Sequence, residues 1–352
     1  MTESENRTAL VIGATGGIGG ETAKALIRAG WRVRAATRNP ERARRDFAAL
    51  GPIEWCHGDA MREADIVAAA TGVRLIVHAA NPPGYRNWRG LALPMLKSAI
   101  AAAKASGARL VLIGTVYNFG PDAGSLLDER SPQHPLTRKG RIRVEMEEML
   151  QAAAREGVRS LVVRAGDFFG PEAPSAWFNT AMVQRGKPVR FVVYPGRHNV
   201  GHAFAYLPDL ALAVTRLAEI EARLGHFEVV HFAGHWLERG VEIAEAIRRV
   251  AGKPRAPILP FPAALLYLAA PFSTLFREMI EMRYLWRVPL RLDNRKLEAL
   301  IGPEPHTPLD DAVRASLEGL GCLHDDGDAP ARAARRKSTS AFSAARLWRR
   351  LG

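Results

Sequence analysis

The sequence predicts an α/β fold, in which a doubly wound parallel sheet is joined to a smaller, discontinuous lobe. Short β-branched and apolar runs alternate with longer helical patterns, which is typical of βαβ units. A glycine-rich turn follows the first run, and glycines end several helical patterns. The chain has 352 residues, 47% hydrophobic and 24% charged. This composition excludes fibrous and mostly disordered proteins and allows one large domain or two modest ones.

Seven strands are expected, six of them before the middle of the chain. They are Ala9–Gly13, Arg32–Thr37, Ile53–His57, Val73–His78, Ala108–Gly114, Val158–Arg164 and His226–Phe232. The helices between them are expected to begin near Gly17, Arg62, Leu91 and Arg138, and a further helix is expected over Pro208–Arg223. Gly30, Gly72, Gly107 and Gly157 are placed where helix C-caps favour glycine.

The organisation follows from these elements. Residues 7–165 and about 190–233 form the predicted sheet domain. Residues of about 166–189 and 234–322 are richer in proline, aromatic and long side chains, and they are expected to form the smaller lobe. The segment 328–352 is rich in alanine, arginine and serine and is expected to be a poorly ordered tail.

The net charge of +13 suggests a nucleic-acid or membrane surface until its position is considered. Seven basic residues and no acidic residue lie in Ala329–Gly352, so the excess is concentrated outside the predicted fold. The tail has one aromatic pair, Phe342 and Trp348, and no recognised nucleic-acid module, which argues against a nucleic-acid partner. An alternative interpretation is that this tail forms a short amphipathic helix that binds an anionic membrane surface or a groove on a partner.

One stretch is long enough to span a bilayer, because Ile258–Phe276 contains no charged residue. Pro260, Pro262 and Pro271 interrupt it, so a buried helix entered through a proline-rich loop is the preferred interpretation. The polar start of the chain has no apolar core of a secretory signal, and a cytoplasmic location is expected.

Cysteine and histidine give little sign of a metal site. Cys56 and Cys322 form neither a disulfide framework nor a Cys/His cluster. Four of the ten histidines form two pairs spaced four residues apart, His198 with His202 and His231 with His235. Without a helix or carboxylate partner evident in the sequence, they are expected to be hydrogen-bonded or exposed, and no metal is predicted.

The strongest motif is a G-x-x-G-x-x-G loop between the first strand and the first helix. Glycine lets the backbone turn tightly and approach a pyrophosphate, with helix N-terminal N–H groups aimed at the anion. Its position in a βαβ pattern favours dinucleotide binding over a purely structural turn. The cofactor-binding candidates in the loop are Gly13, Thr15, Gly16, Gly17, Ile18 and Gly19.

The end of the second strand indicates which nicotinamide cofactor is bound. A carboxylate there would bind the ribose 2′-hydroxyl of NAD, but the chain has Thr37 and Arg38, and no acid follows them until Glu41. An arginine can bind a 2′-phosphate through two hydrogen bonds. The sequence therefore favours NADP over NAD, with a solvated Arg38 as the alternative.

Several motifs in order resemble the extended short-chain dehydrogenase/reductase superfamily, and more narrowly its NAD-dependent epimerase/dehydratase branch. The matching segments are Gly13–Gly19, Gly58–Ala60, His78–Asn81, Arg164–Pro171 and His202–Ala211. The resemblance covers about residues 7–322 and implies an NAD(P)-binding Rossmann fold. It implies that Asp59 and Ala60 contact the adenine, although Asp59 could equally cap the following helix. It also implies that Ala79, Ala80 and Asn81 line the ribose and nicotinamide side.

The catalytic pattern of that superfamily is altered in this chain. The family uses a Ser/Thr and a Tyr-x-x-x-Lys pair, in which the tyrosine is the acid/base. Thr115 occupies the Ser/Thr position, but Lys139 stands where the tyrosine belongs and Arg143 where the lysine belongs. Positions i and i+4 share a helical face, so both cations can reach one cofactor. Tyr85 and Tyr117 are the possible substitutes for the missing hydroxyl.

Two functions remain open at this stage. The first is an atypical NADP(H)-dependent oxidoreductase or epimerase/dehydratase, active as a monomer or homodimer. Aromatic residues in the predicted lobe favour a small or moderately apolar carbonyl or hydroxyl substrate. The second is a non-catalytic NADP(H) sensor like the NmrA-like relatives, which the loss of the tyrosine favours.

Overall fold

The computed structural model describes residues 7–82, 87–261 and 280–323, together with Tyr267 and Arg277. Its strands, in chain order, are β1 (Thr8–Ile12), β2 (Arg32–Thr37), β3 (Ile53–His57), β4 (Leu75–His78), β5 (Arg109–Thr115), β6 (Leu126–Leu127), β7 (Ser160–Ala165), β8 (Asp167–Phe169), β9 (Val192–Tyr194), β10 (His202–Tyr206), β11 (Phe227–Phe232), β12 (His235–Leu237), β13 (Ile258–Pro260) and β14 (Arg291–Leu292).

The α-helices are α1 (Gly17–Arg28), α2 (Pro40–Asp46), α3 (Glu63–Ala69), α4 (Trp88–Ser106), α5 (Arg138–Arg155), α6 (Leu207–Glu219), α7 (Glu242–Val250), α8 (Arg295–Ile301) and α9 (Leu309–Gly319). Short 3₁₀ turns cover Ala48–Leu50, Val116–Asn118, Pro121–Ala123, Glu221–Arg223 and Arg283–Trp286, and a π-helical turn covers Phe178–Met182.

The central sheet has seven parallel strands in the order β11-β7-β5-β4-β1-β2-β3. Every residue of β1, β5 and β7 is buried, because helices cover both faces of the sheet. Helices α1 and α6 pack together on one face, and α3, α4 and α5 pack on the other. The order reverses between β1 and β4, which places a ligand crevice at their carboxyl ends.

A second hydrophobic core lies beyond the carboxyl ends of β5 and β7. We call it the C-terminal core, and its buried residues include Phe204, Ile247, Trp286 and Leu317. The three-stranded sheet β12-β10-β8 borders this core, and the pairs β13-β9 and β14-β6 complete it. Strand β8 begins two residues after β7 ends, so the C-terminal core meets the sheet at its ligand-binding edge.

The predicted sheet is confirmed, with shifts of one or two residues at strand ends. The four glycines expected at helix ends all adopt positive φ, with Gly30 at 82°, Gly72 at 70°, Gly107 at 69° and Gly157 at 90°. The helix expected over Pro208–Arg223 ends earlier, because α6 stops at Glu219 before a 3₁₀ turn. The division into two domains stays a prediction.

Two local predictions were wrong or incomplete. The apolar stretch was expected to be a proline-rich loop leading into a buried helix, but its start, Ile258–Pro260, pairs with β9 as a short strand. Most of Pro262–Phe276, where the helix was expected, lies outside the described residues. Helix α2 was not expected; the Asn39 side chain caps it by accepting from the Arg42 N–H. In the part of the chain that the structure describes, no helix has the length and apolar character to cross a bilayer. The tail beyond Leu323 also lies outside the described part.

Candidate cofactor and active site

The glycine-rich loop is packed so closely that a side chain would collide with neighbouring atoms at three of its glycines. A Cβ on Gly13, which has φ +94°, would lie 2.7 Å from the Ala80 nitrogen. A Cβ on Gly19 would overlap the Gly13 carbonyl, and one on Gly17 would lie 2.7 Å from the Glu172 carbonyl oxygen. The loop, the first turn of α1 and the end of β4 are therefore held within backbone contact of one another.

The N-terminus of α1 lies at the same place, and no side chain among the described residues caps it. Gly16 is the N-cap residue and has no side-chain cap, and the first turn contains no acidic residue. Thr15 and Gly16 are exposed, whereas Ile18 is buried and anchors the helix to the sheet. This arrangement suits an anionic ligand such as a pyrophosphate.

Arg38 lies one residue beyond β2 and is exposed. The register pairs Thr37 with His57, which brings Arg38 beside the turn that starts at Gly58. Among the described residues, Arg38 has no ion-pair partner. The nearest following acid, Glu41, instead bonds Arg44 at 2.8 Å. Arg38 is therefore available to an anion.

Asp59 shapes the turn before α3. Its Oδ1 accepts from the Met61 N–H at 3.0 Å, and its own N–H donates to Asp65 Oδ2 at 3.0 Å. The N-cap of α3 is Arg62, so the alternative that Asp59 caps this helix was wrong. Ala60 beside it is partly exposed, and contact of both residues with an adenine stays a prediction.

The end of β4 is linked to helix α5. Ala79 and Ala80 are partly exposed, and Asn81 Oδ1 accepts from Arg143 Nη2 at 3.0 Å. His78 is 2% exposed; burial, and secondarily the charge of Arg143, lowers the pKa of its imidazole to about 3. The strand end thus carries a neutral imidazole and a side-chain amide oriented by Arg143.

Lys139 and Arg143 lie one turn apart on the buried face of α5, as the spacing predicts. Arg143 Nη1 also donates to the Ile113 carbonyl at 3.2 Å, so it joins α5 to β5 as well as to β4. The Trp88 ring covers both cations, with Arg143 Cζ 5.2 Å and Lys139 Nζ 6.0 Å from the ring centroid. Thr137 caps the helix through the Gly140 N–H at 2.9 Å.

Lys139 is bound by an acid that the sequence did not indicate. Glu281 accepts from the Lys139 N–H and from its Nζ, each at 3.1 Å. Lys139 is 1% exposed. Burial raises the pKa of the Glu281 carboxyl, but the charge and hydrogen bonds of Lys139 outweigh burial, and the net pKa is lowered. The cation at the tyrosine position is therefore held by a carboxylate from a distant part of the chain.

Thr115 and Tyr117 lie at the carboxyl end of β5, beside the start of α5. Thr115 is 5% exposed, and its Oγ1 accepts from the Tyr117 N–H at 3.4 Å. The Tyr284 hydroxyl donates to the Tyr117 and Phe119 carbonyls at 3.3 and 3.2 Å. Tyr85 lies outside the described residues. The structure thus brings Thr115, Lys139 and Arg143 to one edge of the sheet.

Beneath these residues, a buried ion pair fixes α5 to the sheet. The Arg164 guanidinium donates to both oxygens of Glu147, at 3.0 and 2.6 Å. Asn118 Nδ2 donates to the same carboxylate at 2.9 Å, and His231 Nε2 lies 3.2 Å from Arg164. Two partners on a buried carboxylate orient the helix that carries Lys139.

The four histidines have different surroundings. His198 is exposed; His231 Nδ1 bonds the Leu127 carbonyl at 3.0 Å, and His235 packs against His306. Burial lowers the pKa of His231 and of His235 to about 4. His202 Nε2 lies 2.8 Å from Asp167 Oδ2, which is the carboxylate partner that the sequence did not reveal. The described residues include no group of three acidic, cysteine or histidine side chains arranged for a metal ion.

A small pocket opens at the junction between the sheet and the C-terminal core. It encloses about 230 Å³, part of it open to solvent, and its interior has room for about one water molecule. Asp167 and His202 are its ionisable lining residues; the others are Val116, Ala203, Leu285, Val288 and Leu290. Val116 follows Thr115 directly, so the pocket adjoins the predicted catalytic threonine.

Comparison with known proteins is consistent with this architecture. A family model described as "NAD dependent epimerase/dehydratase family" matches residues 9–232. No curated protein is significantly similar to the chain in sequence.

Solved structures share the fold at low identity. UDP-glucose 4-epimerase from Bifidobacterium longum, in complex with NAD+ and UDP, is 16% identical with a TM-score of 0.70, over 89% of this chain and 97% of its own. UDP-glucuronic acid 4-epimerase from Bacillus cereus, in complex with NAD and UDP-glucuronic acid, is also 16% identical with a TM-score of 0.70, over 90% of this chain and 100% of its own. UDP-N-acetylglucosamine 4-epimerase from Bacillus cereus is 15% identical with a TM-score of 0.69, over 90% and 98%.

Proposed function

Since the chain belongs to the NAD dependent epimerase/dehydratase family of NAD(P)-dependent enzymes, we propose that it is an atypical NADP(H)-dependent member acting on a small or moderately apolar carbonyl or hydroxyl compound. The observation that supports this proposal is the link between two parts of the site. The glycine-rich loop with the first turn of α1, which we call the cradle, is joined to the residues at the predicted catalytic positions. The loop of Gly13 and Gly19 touches the end of β4, and Arg143 reaches from α5 to Asn81 at that same end.

The cradle fits a dinucleotide. Backbone surfaces without Cβ atoms, together with the open N-terminus of α1, would bind the pyrophosphate. The predicted adenine contacts are Asp59 and Ala60. Ala79, Ala80 and Asn81 would line the ribose and nicotinamide side of the cofactor. Thr115 and Arg143 would contact the cofactor on the same side. When bound, the cofactor supplies hydride transfer.

NADP is favoured over NAD by the charge at the end of β2. Arg38 is exposed and has no ion-pair partner in the described part of the chain, and the adjacent acid is occupied by Arg44. A 2′-phosphate can accept two hydrogen bonds from the planar guanidinium of Arg38. Two of the structural relatives named above are complexes with NAD, so the proposed preference for NADP rests on Arg38 of this chain alone.

The substrate side favours a compound smaller than a nucleotide sugar. The pocket next to Thr115 is lined mostly by apolar side chains, and its one cationic candidate, His202, is bonded to Asp167. A UDP-sugar carries a diphosphate that needs cationic or N–H partners. Lys139, which lies at the predicted catalytic position, is already paired with Glu281. A neutral, partly apolar substrate therefore suits these walls.

The test is cofactor binding followed by turnover. We expect NADPH to bind at least about ten times more tightly than NADH, and NADPH to be oxidised with some member of a panel of small aldehydes and ketones. Lys139→Ala is expected to abolish that oxidation, because it removes the buried partner of Glu281 and disturbs the nicotinamide side. A tenfold preference for NADH would contradict the assignment of Arg38.

A second candidate is an NADP(H)-sensing protein without catalysis. The ion pair of Lys139 with Glu281 favours it, because a cation held by a carboxylate replaces the hydroxyl that performs the family's proton transfer. Tight NADPH binding with no oxidation across the carbonyl panel would support the sensor and contradict the enzyme. A cytoplasmic location and a monomer or homodimer stay predictions from the sequence.

A further inference from the structure

We propose that His202, oriented by Asp167, is the proton-transfer group that replaces the missing tyrosine. The inference rests on the proposed enzymatic function, and it assigns a catalytic role to a residue outside the Thr115–Lys139–Arg143 cluster. It is based on three features at the carboxyl edge of the sheet. They are the Asp167–His202 pair, which we call the dyad, the pocket that both residues line, and the Trp286 ring that stacks on His202.

The dyad is buried and geometrically fixed. Asp167 is the first residue of β8 and His202 the first of β10, and these strands pair in parallel with Phe204 opposite Asp167. The two side chains are 8% and 6% exposed, and Nε2 lies 2.8 Å from Oδ2. A carboxylate bonded to one imidazole nitrogen selects the tautomer that carries its proton there. Asp167 therefore leaves the lone pair, or the second proton, on Nδ1.

Trp286 holds the imidazole from the other side. Its ring stacks on His202 with a centroid distance of 4.1 Å and an interplanar angle of 15°. Ring stacking and the Asp167 hydrogen bond together restrict both the tilt and the rotation of the imidazole. Among the residues the structure describes, none forms a hydrogen bond with His202 Nδ1, and His202 lines the pocket.

The pocket that His202 lines lies at the carboxyl ends of β5 and β7. Thr115 and Ala165 are opposite each other in the β5–β7 ladder, and the next residues along the chain are Val116 and Gly166. Val116 and Asp167 both line the pocket. Ligands of open parallel sheets bind beyond these strand ends. The interior has room for about one water molecule.

The neighbouring titratable groups are less suited to the role. Tyr194 and Tyr284 lie near the dyad; burial, and secondarily the Asp167 carboxylate, raises the pKa of both hydroxyls well above their ordinary value. Lys139 is paired with Glu281. Proton transfer is most effective from a group that titrates near the working pH, and imidazole is the side chain that ordinarily does so.

Proton transfer from His202 would accompany hydride transfer to a carbonyl substrate. With a reduced nicotinamide cofactor supplying the hydride for the new C–H bond, His202 Nδ1 would give its proton to the carbonyl oxygen, whose π pair would form the O–H bond. His202 becomes neutral and keeps its Nε2–H bond to Asp167. It is reprotonated by solvent, and in the oxidative direction Nδ1 accepts the hydroxyl proton.

The kinetic test compares His202→Gln with Asp167→Asn and with His198→Gln, an exposed histidine four residues earlier. With the best carbonyl substrate of the panel, His202→Gln is expected to lower kcat at least about 100-fold while NADPH binding and the thermal unfolding midpoint are retained. His198→Gln is expected to leave kcat unchanged. In the reductive direction, kcat of the wild type is expected to fall at high pH. This fall should be absent from the residual activity of His202→Gln.

Histidine ¹⁵N NMR gives a readout that does not depend on turnover. We expect wild-type His202 to carry its proton on Nε2 when neutral and Asp167→Asn to mix the tautomers. With NADP present, benzyl alcohol is expected to shift the Nδ1 resonance. Turnover at the wild-type rate by His202→Gln would contradict the proposed role of the dyad. So would a neutral His202 that carries its proton on Nδ1. A wild-type chain that binds NADPH but reduces no carbonyl would instead overturn the proposed function, and the catalytic role of His202 with it.

Discussion

Glu281 accepts two hydrogen bonds from Lys139, one from its backbone N–H and one from Nζ, each at 3.1 Å. The contact joins the first turn of α5 to the segment that continues into Tyr284 and Trp286. Tyr284 bonds the carbonyls that follow β5, and Trp286 stacks on His202. One short segment therefore contacts the altered catalytic position, the end of β5 and the proposed proton-transfer histidine.

Glu281→Gln is expected to destabilise the protein by about 2 kcal/mol, because a buried ammonium would lose its carboxylate. Urea unfolding measures the change. The control is Glu145→Gln, whose partner Arg89 is exposed, and its effect should stay below about 1 kcal/mol. Equal effects from the two substitutions would show that the Lys139 pair is no stronger than a surface pair.

Arg38→Ala is expected to weaken NADPH binding about 10- to 100-fold and to leave NADH binding unchanged, since only NADPH carries the 2′-phosphate. Titration of each cofactor by fluorescence measures both affinities. Arg44→Ala, on the neighbouring helix and paired with Glu41, is the matched control and should alter neither affinity. A parallel loss for NADPH and NADH would place Arg38 away from the 2′ position.

Gly19→Ala is expected to abolish NADPH binding, because the added methyl group would overlap the Gly13 carbonyl and displace the cradle. The control is Gly30→Ala, where no atom lies within 4 Å of the added Cβ but φ is +82°. That variant should lose about 1 kcal/mol of stability and keep its NADPH affinity. Retained binding by Gly19→Ala would show that the loop can widen.

Stability is expected to fall on acidification from about pH 6.5 to pH 5. Burial lowers the pKa of His78 to about 3, below its ordinary value of 6.5, so only the unfolded chain takes up this proton in that interval. Uptake by the unfolded state lowers the free energy of unfolding by about 1.4 kcal/mol per pH unit for such a group. His231 and His235, with pKa values of about 4, act in the same direction.

Comparing urea midpoints at pH 7 and pH 5 tests this effect. His78→Leu should show a shallower loss than the wild type, by about 2 kcal/mol at most over that range. An exposed-histidine variant, His198→Leu, should match the wild-type slope. A slope unaffected by His78→Leu would mean that His78 is protonated in the folded protein.

The sequence predicted local features well because they depend on neighbouring residues. Strands β2 and β3 have the expected bounds, and α1 and α5 begin at the expected residues. The glycines that end helices adopt the left-handed conformation that only glycine reaches at little cost. The helical spacing of Lys139 and Arg143 likewise follows from 3.6 residues per turn, which no tertiary contact has to supply.

The short strands beyond the central sheet were harder to predict. Ile258–Pro260 lies in a charge-free stretch with no alternation of polar and apolar residues, so periodicity could not separate strand from helix. Its partner, β9, lies more than 60 residues earlier in the chain and contributes the hydrogen bonds that decide the outcome. Edge pairs of two or three residues depend on such contacts more than on their own propensity.

The sequence alone determined the sheet, the glycine loop and the residue types at the altered catalytic positions, because each follows from local periodicity or backbone freedom. Only the tertiary structure decided which charges meet. It paired Lys139 with Glu281 and Asp167 with His202, residues separated by 142 and 35 positions. Coulomb energy and hydrogen bonding depend on distance in space, which the chain sets only when β8, β10 and the segment after residue 280 assemble at the carboxyl edge of the sheet.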